Sequence, residues 1–227
     1  MKATNDWFNE QALAIWKRHS YSNKLVPLFL PSIENNVDLL LVGMNPSHRV
    51  NWITKKIKNN PQIFKNETCE SLLTWTGDLE LNKINMIIAL EQIAREEDNQ
   101  YYKQLNNFSK LCGAKSWTHT DTFLVRNTNQ KEMLRDVFDG NKLNQFGIEQ
   151  VDLFKQMIDK VQPKKIVVLN ASASNIFNQY IANSDTNSTM LKIGSTQVYF
   201  AGMLSGQRCM DRYSQLRLIE SLKNTFF

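Results

Sequence analysis

Three short polar clusters each follow an apolar run: Gly43-Met44-Asn45-Pro46-Ser47 after VDLLLVG, Arg126-Asn127-Thr128-Asn129 after TDTFLV, and Met203-Leu204-Ser205-Gly206-Gln207-Arg208 after TQVYFAG. Asn45 and Asn127 carry neutral carboxamides, each with an acceptor oxygen and two N–H donors. Such groups orient polar ligands without giving or taking a proton themselves. Gly-x-Asn-Pro is also good chemistry for a tight turn leaving a strand, so no cluster is specific alone. Their recurrence after three apolar runs is what points to one crevice. Metal chemistry is not indicated: Cys69, Cys112 and Cys209 are far apart with no C-x-x-C pair, and His19 and His119 have no partners at ligand spacing. Neither G-x-x-x-x-G-K-[ST] nor G-x-G-x-x-G occurs to cradle a nucleotide's phosphates, and nothing in the sequence calls for a cofactor.

For the clusters to meet, the apolar runs must lie side by side. Residues 37–43, 120–127, 164–170 and 196–202 read as short strands of a parallel sheet, the first and second with the continuous apolar run of a strand buried on both faces. Helical spacing over 3–20, 83–96, 99–111, 144–161, 171–181 and 208–226 supplies the crossovers that parallel neighbours need. The pattern predicts an α/β protein, a three-layer α/β/α sandwich around a central, mainly parallel four-stranded sheet, in a single domain over 1–227. Ligands of such sheets bind beyond the carboxyl ends of the strands, where the three clusters fall. Asp38 and Asp121 are expected at the opposite ends. The polar stretch from Asn45 to about Gly77, holding Lys55, Lys56, Lys58 and Lys65, reads as a solvated loop with a short helix.

Lys and Arg number 27 against 22 Asp and Glu, a net charge of +5 that suits a polyanionic partner such as nucleic acid. The opening MKATNDWFNE has no apolar signal-like run, and no segment approaches the roughly 18 to 20 apolar residues that cross a bilayer. A soluble, cytoplasmic protein without a membrane partner is expected, its cysteines reduced and buried as small hydrophobes.

LLLVGMNPS resembles the first motif of the uracil-DNA glycosylase superfamily, nearest to the G-M-N-P-G of its single-strand-selective monofunctional branch and the G-I-N-P-G of its mismatch-specific branch. FLVRN is similar to the strand-plus-Asn segment with which that branch reads the base. MLSGQR occupies the place of the second motif, H-P-S-P or N-P-S-G in relatives. Asn127 follows Asn45 by 82 residues and Met203 follows Asn127 by 76, so the resemblance covers the chain from about residue 37 to its end. It implies a DNA-repair enzyme, a monofunctional glycosylase that hydrolyses the bond between an aberrant or modified, uracil-type pyrimidine and deoxyribose. Such an enzyme leaves an abasic site, acts on double- or single-stranded DNA, and works as a monomer without a cofactor. A stacked base must be flipped out of the duplex before its sugar carbon can be reached.

The same resemblance assigns roles. Met44, Asn45 and Ser47 form the catalytic segment, with Asn45 holding the attacking water and turning its carbonyl toward the sugar, where positive charge develops. Asn127 presents its amide to the Watson–Crick edge, donating to an exocyclic oxygen and accepting from the ring N–H. Apart from the resemblance, His48 is a candidate to touch phosphate or the leaving base and reads equally as a surface histidine. Trp52, Phe64 and Trp75 are candidates for a stacking face, and each reads also as core or surface packing. Ser205, Gly206, Gln207 and Arg208 grip DNA, backbone N–H groups holding phosphate while Gln207 or Arg208 fills the gap left by the flipped base. Ser205 reads equally well as an ordinary helix N-cap. No Lys lies in the three clusters, so water rather than a Schiff base is expected to displace the base. Two departures matter: Met203 stands where relatives have a His or Asn that stabilises the departing base, and Ser47 replaces a Gly in the pocket floor. They leave open an anti-phage defence glycosylase excising a hypermodified cytosine, and a catalytically inactive damaged-DNA-binding module.

Overall fold

A computed structural model of the chain describes residues 4–19, 24–96, 99–182, 189–204 and 209–223. In chain order the elements are α1 (Thr4–Arg18), β1 (Leu39–Gly43), α2 (Val50–Asn59), α3 (Pro61–Phe64), α4 (Cys69–Leu73), α5 (Leu81–Glu96), α6 (Gln100–Leu111) and β2 (Trp117–Asp121). They continue with α7 (Gln130–Val137), the short strands β3 (Phe138–Asp139) and β4 (Lys142–Leu143), α8 (Gln145–Val161), β5 (Lys165–Val168) and α9 (Ala171–Ile176). A π-helical turn (Phe177–Ile181), strands β6 (Met190–Ile193) and β7 (Thr196–Phe200), and α10 (Arg212–Lys223) follow. These elements fall into two compact units interleaved along the chain. One is drawn from Met1–Ser32, Asn45–Glu97 and Phe123–Phe154, the other from Ile33–Met44, Asp98–Thr122 and Lys155–Phe227.

The second unit contains the sheet, in the order β2-β1-β5-β7-β6. β1 runs parallel to β2 and β5, β5 runs parallel to β7, and β6 pairs antiparallel with β7. Strands β1 and β5 are buried throughout, which is why their sequences are uninterrupted apolar runs. Alternate residues supply the two faces. Leu39, Leu41, Val167 and Tyr199 pack with Leu105, Phe108 and Cys112 of the α6 segment and Ile219 and Leu222 of α10. On the other face Phe200 meets the Phe177 ring edge-on, with centroids 5.9 Å apart. The unit is therefore α/β, with helical layers on both sides of a mostly parallel sheet.

The sheet has five strands, not the four expected. β6 was hidden because it alternates between exposed and half-buried residues at an edge. Ile193 pairs with Thr196 across a two-residue loop whose Gly194 has φ +59°, the left-handed geometry a tight hairpin requires. The second strand is also displaced. It is Trp117–Asp121, not 120–127, because Thr118, His119, Thr120 and Asp121 are buried against β1 despite their polar side chains. Asp121 consequently sits at the carboxyl end of β2, paired with Gly43, and not at the opposite end.

That pairing explains Gly43. A Cβ there would lie 2.0 Å from Asp121 Oδ1 and 3.4 Å from His119 Nε2, so only glycine lets the Asp121 carboxylate close over the end of β1. Gly43→Ala is expected to lower stability by about 1–3 kcal/mol, the usual range for overpacking. A fall in the urea midpoint checks it, and an unchanged midpoint would show that Asp121 swings away freely.

The first unit is mainly helical. α1 buries Phe8, Ala12, Ile15 and Trp16 along one side. The stretch expected to be a solvated loop with a short helix holds three helices, α2 to α4, each with an apolar side: Ile53 and Ile57, then Phe64, then Leu72 and Leu73 are buried. Beyond the sheet, α10 begins at Arg212 and not near Arg208. Asp211 caps it by accepting from the backbone N–H of Tyr213 (2.9 Å) and Ser214 (3.0 Å). Cys69 and Cys112 are buried thiols, as expected, and burial pushes the Cys112 thiol up to about 12. Cys209 is exposed, contrary to expectation.

Candidate active site

Asn45 and Asn127 lie in the same compact unit and are joined directly. The Asn45 Nδ2 donates to the backbone oxygens of Asn127 (2.8 Å), Pro46 (3.2 Å) and Val125 (3.3 Å). Three carbonyls can only accept, so the side-chain nitrogen must face them and the amide orientation follows from chemistry. Among the described residues no donor meets the Asn45 oxygen. That acceptor is left over for a ligand.

Asn127 has the reverse polarity. Its Oδ1 accepts from the Asn129 N–H at 2.7 Å in an Asx turn, and a backbone N–H can only donate. Its Nδ2 donors therefore remain for a ligand, and among the described residues no acceptor takes them. The Asn127 N–H in turn donates to the Pro46 oxygen at 3.0 Å. The loop after β1 and the segment FLVRN are thus stitched together through both backbone and side chain, with both carboxamides half-buried.

In FLVRN, residues 123–126 are buried without forming a strand, and several of the segment's polar groups are satisfied individually. Leu124 N–H donates to Gln150 Oε1 (2.9 Å), and Leu124 O accepts from Leu28 N–H (2.9 Å). Arg126 is buried, 7% exposed. It donates through Nε to the Val26 oxygen (3.1 Å) and through Nη2 to the Pro27 oxygen (3.2 Å) and to the buried Glu91 carboxylate on α5. This ion pair fixes the residue immediately before Asn127 from behind. Sequence reasoning missed it. The only signal was a charged residue closing an apolar run, and the acidic partner lies 35 positions away.

His48 is half-buried, and its backbone oxygen accepts from Thr128 Oγ1 at 2.8 Å, a further tie between the two loops. Burial, helped by the Arg126 guanidinium, holds the imidazole pKa below its ordinary value, so His48 is neutral at pH 7. Its Nδ1 is buried and has no hydrogen-bond partner among the described residues. Ser47 is exposed, and its hydroxyl lies 3.5 Å from that of Thr128. Met44 is buried and belongs to the sheet-bearing unit.

Of the three aromatic candidates, Phe64 (0% exposed) and Trp75 (1%) are sealed in the core and cannot stack on a ligand. Trp52 is half-buried on α2, with Lys56 Nζ 5.6 Å from its ring centroid. Ser205, Gly206, Gln207 and Arg208 lie outside the described residues. Met203 is half-buried, and its backbone oxygen accepts from Met210 N–H at 2.8 Å. Among the described residues there is no group of three or more His, Cys, Asp or Glu placed to hold a metal ion, and no helix is long and apolar enough to cross a membrane. No known protein-family model and no curated protein matches this chain.

Proposed function

We propose that the protein is a monofunctional DNA glycosylase that hydrolyses the N-glycosidic bond of an aberrant or modified, uracil-type pyrimidine and leaves an abasic site. The observation that carries this reading is the pair of half-buried carboxamides with opposite free ends, an acceptor on Asn45 and a donor on Asn127, each locked by backbone partners. Cleavage places positive charge on the sugar and negative charge on the base, and fixed dipoles of these two signs are what that transition state needs. The Asn45 oxygen accepts a hydrogen from water, turning a lone pair of the water toward the sugar carbon. Asn127 Nδ2 donates to the base carbonyl on which negative charge accumulates. A uracil-type base offers an oxygen where cytosine offers an amino group, so the donor end of Asn127 favours the former. The second lone pair of Asn127 Oδ1, beyond the one in the turn, accepts from the ring N–H. Neutral His48 offers a ring N–H to the leaving base.

The test is base release. Single- and double-stranded oligonucleotides carrying uracil, a U·G mismatch, hydroxymethylcytosine or glucosylated cytosine are incubated with the protein and then treated with alkali to cut at abasic sites. Strand cleavage of a uracil-type substrate, with no borohydride-trapped adduct, is expected. Cleavage confined to the decorated cytosines would shift the target to hypermodified bases. Tight binding with no release from any substrate would overturn the enzymatic reading in favour of a binding module.

A further inference from the structure

We propose that the outward face of α2, with Arg49 before it and Lys65 after it, is the surface on which this protein holds the phosphodiester backbone of DNA. The choice of DNA rests on the glycosylase reading. From Asn45 to Asn66 the chain has no Asp or Glu, yet it contains Arg49, Lys55, Lys56, Lys58 and Lys65. With these five set aside, 22 Lys and Arg remain against 22 Asp and Glu, so the whole net charge of +5 is concentrated in one segment. That segment begins at the loop holding Asn45.

The fold exposes this charge. Ile53 and Ile57 are buried, which places Lys55 and Lys58 on the opposite side of the helix, with Lys56 and Trp52 along its flank. Arg49, Lys55, Lys58 and Lys65 are all exposed, and none pairs with a carboxylate among the described residues. Other surface cations behave differently: Lys17, Arg18, Lys24 and Lys164 each meet an Asp or Glu within 3.0 Å. The ten residues of α2 span about 15 Å, room for about four phosphates of one strand. Lys56 over the Trp52 ring adds an aromatic beside the charges, the combination that single strands use. An anionic membrane fits less well, because the apolar side an interfacial helix would insert is already turned into the protein.

Two full-length variants test this. One combines Arg49→Gln, Lys55→Gln, Lys58→Gln and Lys65→Gln. The other removes the same charge elsewhere through Lys103→Gln, Lys110→Gln, Lys142→Gln and Lys160→Gln, all exposed. Binding of an undamaged 20-base oligonucleotide, single- and double-stranded, is followed by anisotropy between 50 and 200 mM salt, with urea midpoints confirming folding. The first variant is expected to weaken binding on the order of 10²-fold at 100 mM salt and to flatten the salt slope by about 3. The second should change binding less than about threefold. Equal losses in both variants, an unchanged first variant, or a loss seen only on phosphatidylserine vesicles overturns the proposal. Because binding is read on undamaged DNA, a protein that binds through this face but releases no base refutes the glycosylase reading alone. One that releases base while both variants bind alike refutes only the assignment of this face.

Discussion

Asn45→Ala is expected to reduce the single-turnover rate of base release by about 10²- to 10³-fold, the loss typical of removing a group that orients the nucleophile or stabilises developing charge. The substitution deletes the side-chain acceptor that Asn45 leaves unengaged among the described residues. It also deletes the nitrogen that ties the loop to Val125 and Asn127. Affinity for undamaged DNA, measured alongside, should stay within a few-fold, which separates lost chemistry from lost binding. A variant retaining a tenth or more of the parent rate would remove Asn45 from the reaction.

Asn45→Asp sharpens the argument because it keeps the shape and changes the chemistry. One carboxylate oxygen would face the backbone oxygens of Pro46, Val125 and Asn127 with no donor between them. The protonated acid can donate to one of these oxygens and the carboxylate cannot, so the folded-state pKa is raised above the unfolded value of about 3.9. A raised carboxyl pKa means that the folded state holds the proton more tightly than the unfolded state. The variant is therefore least stable relative to the parent above its folded pKa, and the deficit shrinks as pH falls through that value. Urea midpoints should show a loss of about 1–3 kcal/mol at pH 8 and a smaller loss at pH 5. At neutral pH this carboxylate does not rescue base release, although a carboxylate is ordinarily the stronger general base. Equal stability of the two proteins at pH 8 would mean that the carbonyl trio does not orient Asn45.

How much of this was legible in the sequence varies by element. β1 and β5 were legible because a strand buried on both faces is written as an unbroken apolar run. β2 was not, because its buried Thr118, His119, Thr120 and Asp121 carry polar side chains. Tyr101 on α6 reaches His119 Nε2 at 2.9 Å, and Asp121 fits only because Gly43 lacks a Cβ. The apolar letters of FLVRN then drew the expected strand past its true end. Asn45 and Asn127 were visible as chemical groups in favourable places, and the resemblance paired them. Which end of each amide is free was not visible. That depends on three carbonyls and one backbone N–H, and backbone positions leave no trace in side-chain identity. The capping of α10 illustrates the same limit, since Ser205 and Asp211 are equally plausible caps by type and only the course of the chain selects Asp211.

Arg126→Ala is the substitution expected to damage the fold most. It strands the Glu91 carboxylate, 7% exposed, without its cation, and it leaves the Val26 and Pro27 oxygens without their donor. Breaking a buried pair by removing one partner costs about 3–5 kcal/mol, against a total stability of about 5–15 kcal/mol for a typical domain. The urea midpoint should fall accordingly, and Glu91→Ala should fall by a similar amount because it leaves the guanidinium unpaired. The double variant Glu91→Met/Arg126→Met distinguishes charge from shape. Desolvation makes a buried ion pair little better than apolar side chains of similar volume, so the double variant should recover most of the stability lost by either single change. Its base release should not recover. The side chain before Asn127 no longer grips the Val26 and Pro27 oxygens, and a misplaced donor on the base weakens the transition state even in a folded protein. A double variant as unstable as the singles would show that the two carbonyl contacts, not the ion pair, carry the energy. One that is both stable and fully active would show that Arg126 supports the fold and does not position Asn127.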